Sequence, residues 1–143
     1  MESMPANRVR TSRDPKPGAV LYAKDVARVR AFYEHALGLE VVDVGADHVV
    51  LEAAAFQLVI IEIPRALAAS VAIDDPPRRR TETPIKLVFP VRRIDETRDA
   101  ALRWGGELNP PEREWNFHGC RVCDGHDPEG NVVQVRAGHT SER

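Results

Sequence analysis

The chain is written twice, and that duplication limits its fold more than any other feature. Between residues 17 and 64, a short run rich in β-formers, Gly18 to Ala23, is followed by Asp25, a residue suited to cap a helix. Val26, Val29, Phe32, Tyr33, Ala36 and Leu37 then recur at helical spacing, and Gly38 stands where a left-handed residue closes a helix. Three β-rich runs follow, Leu39 to Val44, His48 to Ala54 and Phe56 to Ile63, with the turn signals of an antiparallel meander. Between residues 84 and 137 the order returns. A strand over Ile85 to Val91 precedes a helix with Ile94, Thr97, Ala101 and Trp104 on one side, closed by Gly105. Asp95 and Glu96 suit the positive end of that helix. Strand-like runs at 106–111, 114–124 and 131–137 complete the second copy, where Val132-Val133-Gln134-Val135 echoes Ile60-Ile61-Glu62-Ile63 of the first. The expected fold is α+β: two βαβββ repeats forming curved mixed sheets around a cleft. One repeat leaves a sheet face bare, so the sheets must pair within the chain or across a dimer.

A chain of 143 residues accommodates one such domain, expected over 17–138, with repeats at 17–64 and 84–137. Residues 1–16 read as a mobile arm or one that lies along a partner subunit, and 65–83 as a linker crossing the surface. Arg78, Arg79 and Arg80 in that linker suit a solvated loop or an anion site. Twenty Lys and Arg against 22 Asp and Glu, with a net charge of -2 and no strongly basic stretch, disfavour nucleic acid. The first residues lack an apolar signal core, and the longest apolar stretch, Ala53 to Ile63, is broken by Gln57 and Glu62, which disfavours export and membrane spanning. Cys120 and Cys123 fall on opposite faces of one predicted strand and are poor disulfide partners, so a cytoplasmic location is expected.

The run Leu21 to Val41, with its Asp, its helical Phe-Tyr pair and its Leu-Gly-Leu, resembles the opening of the vicinal oxygen chelate superfamily, which includes glyoxalase I, extradiol dioxygenases, and fosfomycin-resistance and bleomycin-binding proteins. Asp127-Pro128-Glu129-Gly130-Asn131 and the apolar run after it resemble the turn and last strand that close that family's second unit. The resemblance covers about Pro17 to Ala137, implies the paired-repeat fold and a homodimer, and leaves activity open. In metal-using members, four ligands on the first and last strands of the two units converge on a divalent ion. Carried onto this sequence, those positions fall on Gly18, on Glu62 or Ile61 depending on strand register, on Lys86 and on Gln134. Glycine donates nothing, a charged ammonium repels a cation, and an amide lacks the carboxylate's charge, so no metal cofactor is expected.

If Glu62, Lys86 and Gln134 share the cleft, they can satisfy one another where an ion would otherwise sit. Alternatively, Lys86 and Glu62 face solvent at strand ends. His118, Cys120, Cys123 and His126 lack the spacing of a structural zinc site. Trp115 and Phe117 alternate with Asn116 and His118; they line a ligand cleft or fill the core. Tyr22 is a further candidate wall. The leading expectation is a metal-free small-molecule-binding protein that sequesters or senses an organic ligand through Tyr22, Glu62, Lys86, Trp115, Phe117, His118 and Gln134. The rival is an enzyme. It would be a metal-dependent lyase, isomerase or dioxygenase with an altered ligand set, or a metal-free one using Glu62 or Lys86 as acid or base.

Overall fold

The computed structural model describes residues 15–138, so the arm at 1–16 falls outside it up to residue 14. The side chain of Lys16, the arm's last residue, is buried against the first sheet, its Nζ donating to Glu52 Oε1 at 2.9 Å. In the first unit, β1 (Gly18–Ala23) leads into α1 (Val26–Ala31), which continues as a π-helical turn over Phe32–Ala36, and β2 (Glu40–Val44), β3 (His48–Ala53) and β4 (Phe56–Glu62) follow. The Asp25 carboxylate accepts from Arg28 N at 3.0 Å and so caps α1. The strand order is β1-β4-β3-β2, with β1 parallel to β4 and the remaining pairs antiparallel. A four-residue helix, α2 (Arg65–Ala68), begins the linker.

The second unit consists of β5 (Leu87–Pro90), α3 (Ile94–Arg103), β6 (Glu107–Leu108), β7 (Trp115–Phe117), β8 (Cys120–His126) and β9 (Val132–Gly138). Its order is β5-β9-β8-β6, and β7 pairs with the other half of β8. β6 and β7 are thus one edge strand, interrupted at Pro110 and Pro111 by a 3-10 turn, where proline has no N–H to pair. With that break closed, the second sheet repeats the order of the first. The run at 114–124 is not one strand, because His118 (φ +50°) and Gly119 (φ +75°) turn the chain back as a hairpin. Two successive left-handed residues are what the tightest hairpin turn requires.

The two units share one core. Leu51, Leu58 and Ile60 of the first sheet, Phe32 and Tyr33 of its helix, and Phe89, Val133 and Val135 of the second sheet form a single buried cluster. The Phe89 ring lies 5.6 Å from Tyr33 and 5.9 Å from Phe56. Contact at the helices is close enough that a Cβ on Gly106 would fall 2.4 Å from Phe32 Cε1.

A buried polar latch reinforces this packing. Tyr33 Oη donates to Asp127 Oδ2 at 2.8 Å, and Asp127 also accepts from Glu129 N and from both nitrogens of Asn131. The Glu129 carboxylate in turn accepts from the backbone N–H groups of Lys24 and Asp25, at 2.7–3.0 Å, where α1 begins. The linker docks on the same turn, with Arg80 N donating to Gly130 O at 2.8 Å. Because both sheets turn one face into the shared core, their other faces lie on the outside. Among the described residues, no helix is long and apolar enough to cross a membrane.

Candidate functional site

Strand alternation and register identify what each bare face carries. On the first sheet, Gly18, Val20 and Tyr22 of β1 pair with Gln57, Val59 and Ile61 of β4, while Leu21 and Ile60 point into the core. On the second, Val88 pairs with Gln134 and Pro90 with Arg136, and Asp124 and Val122 of β8 lie opposite those two β9 residues. Trp115 and Phe117 continue this face across Val122 and Cys120. Lys86 precedes β5 by one residue and, by alternation with Val88, belongs to the same face.

These side chains form a row. Lys86 Nζ donates to Asp124 Oδ2 at 2.8 Å, Gln134 Nε2 to Asp124 Oδ1 at 3.1 Å, and Arg136 Nε to Gln134 Oε1 at 2.7 Å. Arg136 Cζ lies 5.1 Å from the centre of the Phe117 ring. Gln134 is 6% exposed, held between its two partners. Trp115 and Phe117 are 38% and 45% exposed and stand outside the core cluster. The aromatic pair thus borders a polar row on a sheet face that the described residues leave open.

Of the residues singled out from sequence, Lys86, Gln134, Trp115 and Phe117 come together here. Glu62 does not. It lies on the opposite side of the first sheet from Ile61, in a groove of about 530 Å³ with Lys24, Asp25, Arg30 and His48. The carboxylate that pairs with Lys86 is Asp124. Tyr22 is exposed on the first sheet, and no hydrogen bond or ring contact links it to the row. His118 occupies the hairpin turn rather than a strand, its ring 4.4 Å from Phe117. Asp124 and Arg136 were missed, although each is an alternation step away: Arg136 is two residues beyond Gln134, and Asp124 lies directly opposite it. His48 was missed as well. It is bonded to Asp47 at 3.0 Å, a contact that raises its pKa above the ordinary histidine value.

The four positions assigned to metal ligands can now be placed. Seven residues before the helix caps Asp25 and Arg93 stand Gly18 and Lys86, and five before stand Val20 and Val88. Val20 pairs with Val59, and Val88 pairs with Gln134, so Gln134 corresponds to Val59 rather than to Glu62. The echo in residue type was displaced by three positions. Gly18, Val59, Lys86 and Gln134 do not fit a divalent ion: one is apolar, one is an ammonium already donating to a carboxylate, and one is an amide. Nor can position 18 take a ligating side chain in this packing, because a Cβ there would sit 2.0 Å from the Gln57 carbonyl oxygen. Among the described residues, no three His, Cys, Asp or Glu side chains are grouped to hold a metal. Cys123 is a core thiol whose pKa burial pushes up and whose Sγ donates to Asn109 O, which is not the setting of a nucleophile.

Solved structures share this architecture. The genomically encoded fosfomycin resistance protein FosX of Listeria monocytogenes superimposes with a TM-score of 0.59 at 19% identity, over 91% of this chain and 94% of that one. A glyoxalase/bleomycin resistance protein/dioxygenase family enzyme of Burkholderia phytofirmans PsJN gives 0.64 at 15% identity, over 84% and 95%. A glyoxalase-related enzyme of Fulvimarina pelagi gives 0.61 at 19%, over 87% and 88%. At such identities the likeness establishes the fold alone. No curated protein matches the chain. The family model for the glyoxalase-like domain matches residues 18–136, the span of both units, and the chain therefore belongs to that family, within the vicinal oxygen chelate superfamily.

Proposed function

We propose that the protein binds a small organic molecule on the open face of its second sheet, with no divalent metal at the family's ligand positions, and acts by sequestering or sensing that molecule. The observation that supports this most directly is the Lys86–Asp124–Gln134–Arg136 row, in which protein charges satisfy one another at the positions of two family ligands, beside two solvent-facing aromatic rings. A paired polar row fixes ligand orientation, and the rings supply apolar contact. The working form in this reading is a homodimer in a reducing cytoplasm. Val20 and Tyr22 on one bare sheet face and Val88, Trp115 and Phe117 on the other are exposed apolar groups that a second copy would cover. Such pairing encloses the row in curved sheet and gives Tyr22 a ligand to face.

The test is binding in the presence of chelator. Screened by thermal shift against aromatic antibiotics and metabolites, the protein is expected to bind at least one. Trp115→Ala should then weaken that binding by about 10-fold or more, the equivalent of roughly 1.4 kcal/mol, with an unchanged far-ultraviolet circular dichroism spectrum. An affinity indifferent to Trp115 would sink the assignment of this face.

A further inference from the structure

Resting on the reading of the second sheet's open face as the binding face, we propose that this face takes an organic anion and that Arg136 grips its oxyanion. The Arg136 guanidinium is held twice, by the bond from Nε to Gln134 Oε1 and by its place over the Phe117 ring. Neither hold uses Nη1 or Nη2. Among the described residues these two nitrogens have no acceptor, and neither is buried. The nearby carboxylate is already committed, because Asp124 accepts from Lys86 with one oxygen and from Gln134 with the other. The row therefore sets two cations against one anion, and the uncompensated charge is the one whose donors are free.

A guanidinium held rigid with an unused pair of N–H donors matches the two oxygens of a carboxylate or phosphonate in a bidentate grip. Because Gln134 and Phe117 already order the side chain, little rotamer freedom is left to lose on binding. Phe117 and Trp115 lie on the adjoining edge strand of the same face, so the ligand class is an oxyanion on a flat apolar body.

The experiment is calorimetric titration of the full chain with 2-naphthoate, naphthalene-2-phosphonate and the neutral 2-naphthamide. At least one anion is expected to bind about 10-fold or more tightly than the amide, and the tighter anion names the headgroup. Arg136→Gln should bring that anion to within about twofold of the amide. Equal binding of anion and amide to the wild type, or an anion affinity that survives Arg136→Gln, overturns the role of Arg136. If Trp115→Ala still weakens both ligands in that case, the binding face stands. Loss of the dimer in Arg136→Gln with an unaltered anion-to-amide ratio would assign the free donors to a second copy and also overturn the proposal. No binding by any of the three up to about 10 mM would sink both the anion grip and the binding face.

Discussion

Asp127→Ala is expected to lower stability by at least about 3 kcal/mol in urea unfolding, because it removes one acceptor group from several buried donors at once. Asp127 is fully buried, and Tyr33 Oη, Glu129 N, Asn131 N and Asn131 Nδ2 all donate to it. Without the carboxylate, the Tyr33 hydroxyl has no partner in the core, and the turn that presents Glu129 to the start of α1 loses its brace. The loss has a pH signature. Burial pushes the Asp127 carboxyl above its ordinary value, outweighing the bonds from Asn131, Tyr33 and Glu129 that pull it down. A folded value above the unfolded one makes the contribution whole below the unfolded pKa of about 3.9 and reduces it as pH rises through the folded value. The stability gap between wild type and Asp127→Ala should therefore narrow as pH is raised from about 4. A gap that widens would mean the donors prevail over burial.

Phe89→Ala should cost about 3–5 kcal/mol by the same measurement, as large-to-small changes in a close-packed core do. Phe89 is 2% exposed and touches Tyr33 of the first unit's helix and Phe56 of its sheet, so its ring joins the two repeats. Both unit halves should still unfold in one transition in the wild type, since they share a single buried cluster. Phe89→Ala and Asp127→Ala act on opposite sides of Tyr33, so their combined effect should depart from the sum of the two. A Phe89→Ala cost below about 1 kcal/mol would mean that the units are not joined through this ring.

The duplicated βαβββ order was legible because it rests on signals that survive without neighbours: helical periodicity in Val26 to Leu37, a capping Asp25, and glycines at positions 38 and 105 that do take left-handed φ. Register was not legible in the same way. The similarity of Ile60 to Ile63 with Val132 to Val135 was one of residue type, whereas pairing is set by the turns that start each strand. Counting back from the helix caps and reading across the strand pairs places Val59, not Glu62, in the position equivalent to Gln134. The His118-Gly119 hairpin lacked the usual Asn-Gly or Asp-Gly signal and was flanked by β-formers on both sides, so the segment read as continuous. Asp124 and Arg136 escaped notice for a related reason: their significance comes from cross-strand neighbours, and a lone acid or base on a strand carries no signal until register is known. The pairing of the repeats through their helix-side faces is likewise a tertiary fact, carried by Phe89, Tyr33 and the close approach at Gly106.

In the proposed reading, charges of the protein itself stand at the ligand positions of the family's metal-using members. Elemental analysis of protein purified without chelator, repeated after the stripped protein is offered Ni, Zn, Mn and Fe(II), tests it most directly. The polar row and the closed backbone contact at Gly18 predict less than about 0.1 ion per chain and no tight uptake of any of the four. One stoichiometric ion per chain that resists dialysis would overturn the metal-free reading and make a metal-dependent enzyme the better one.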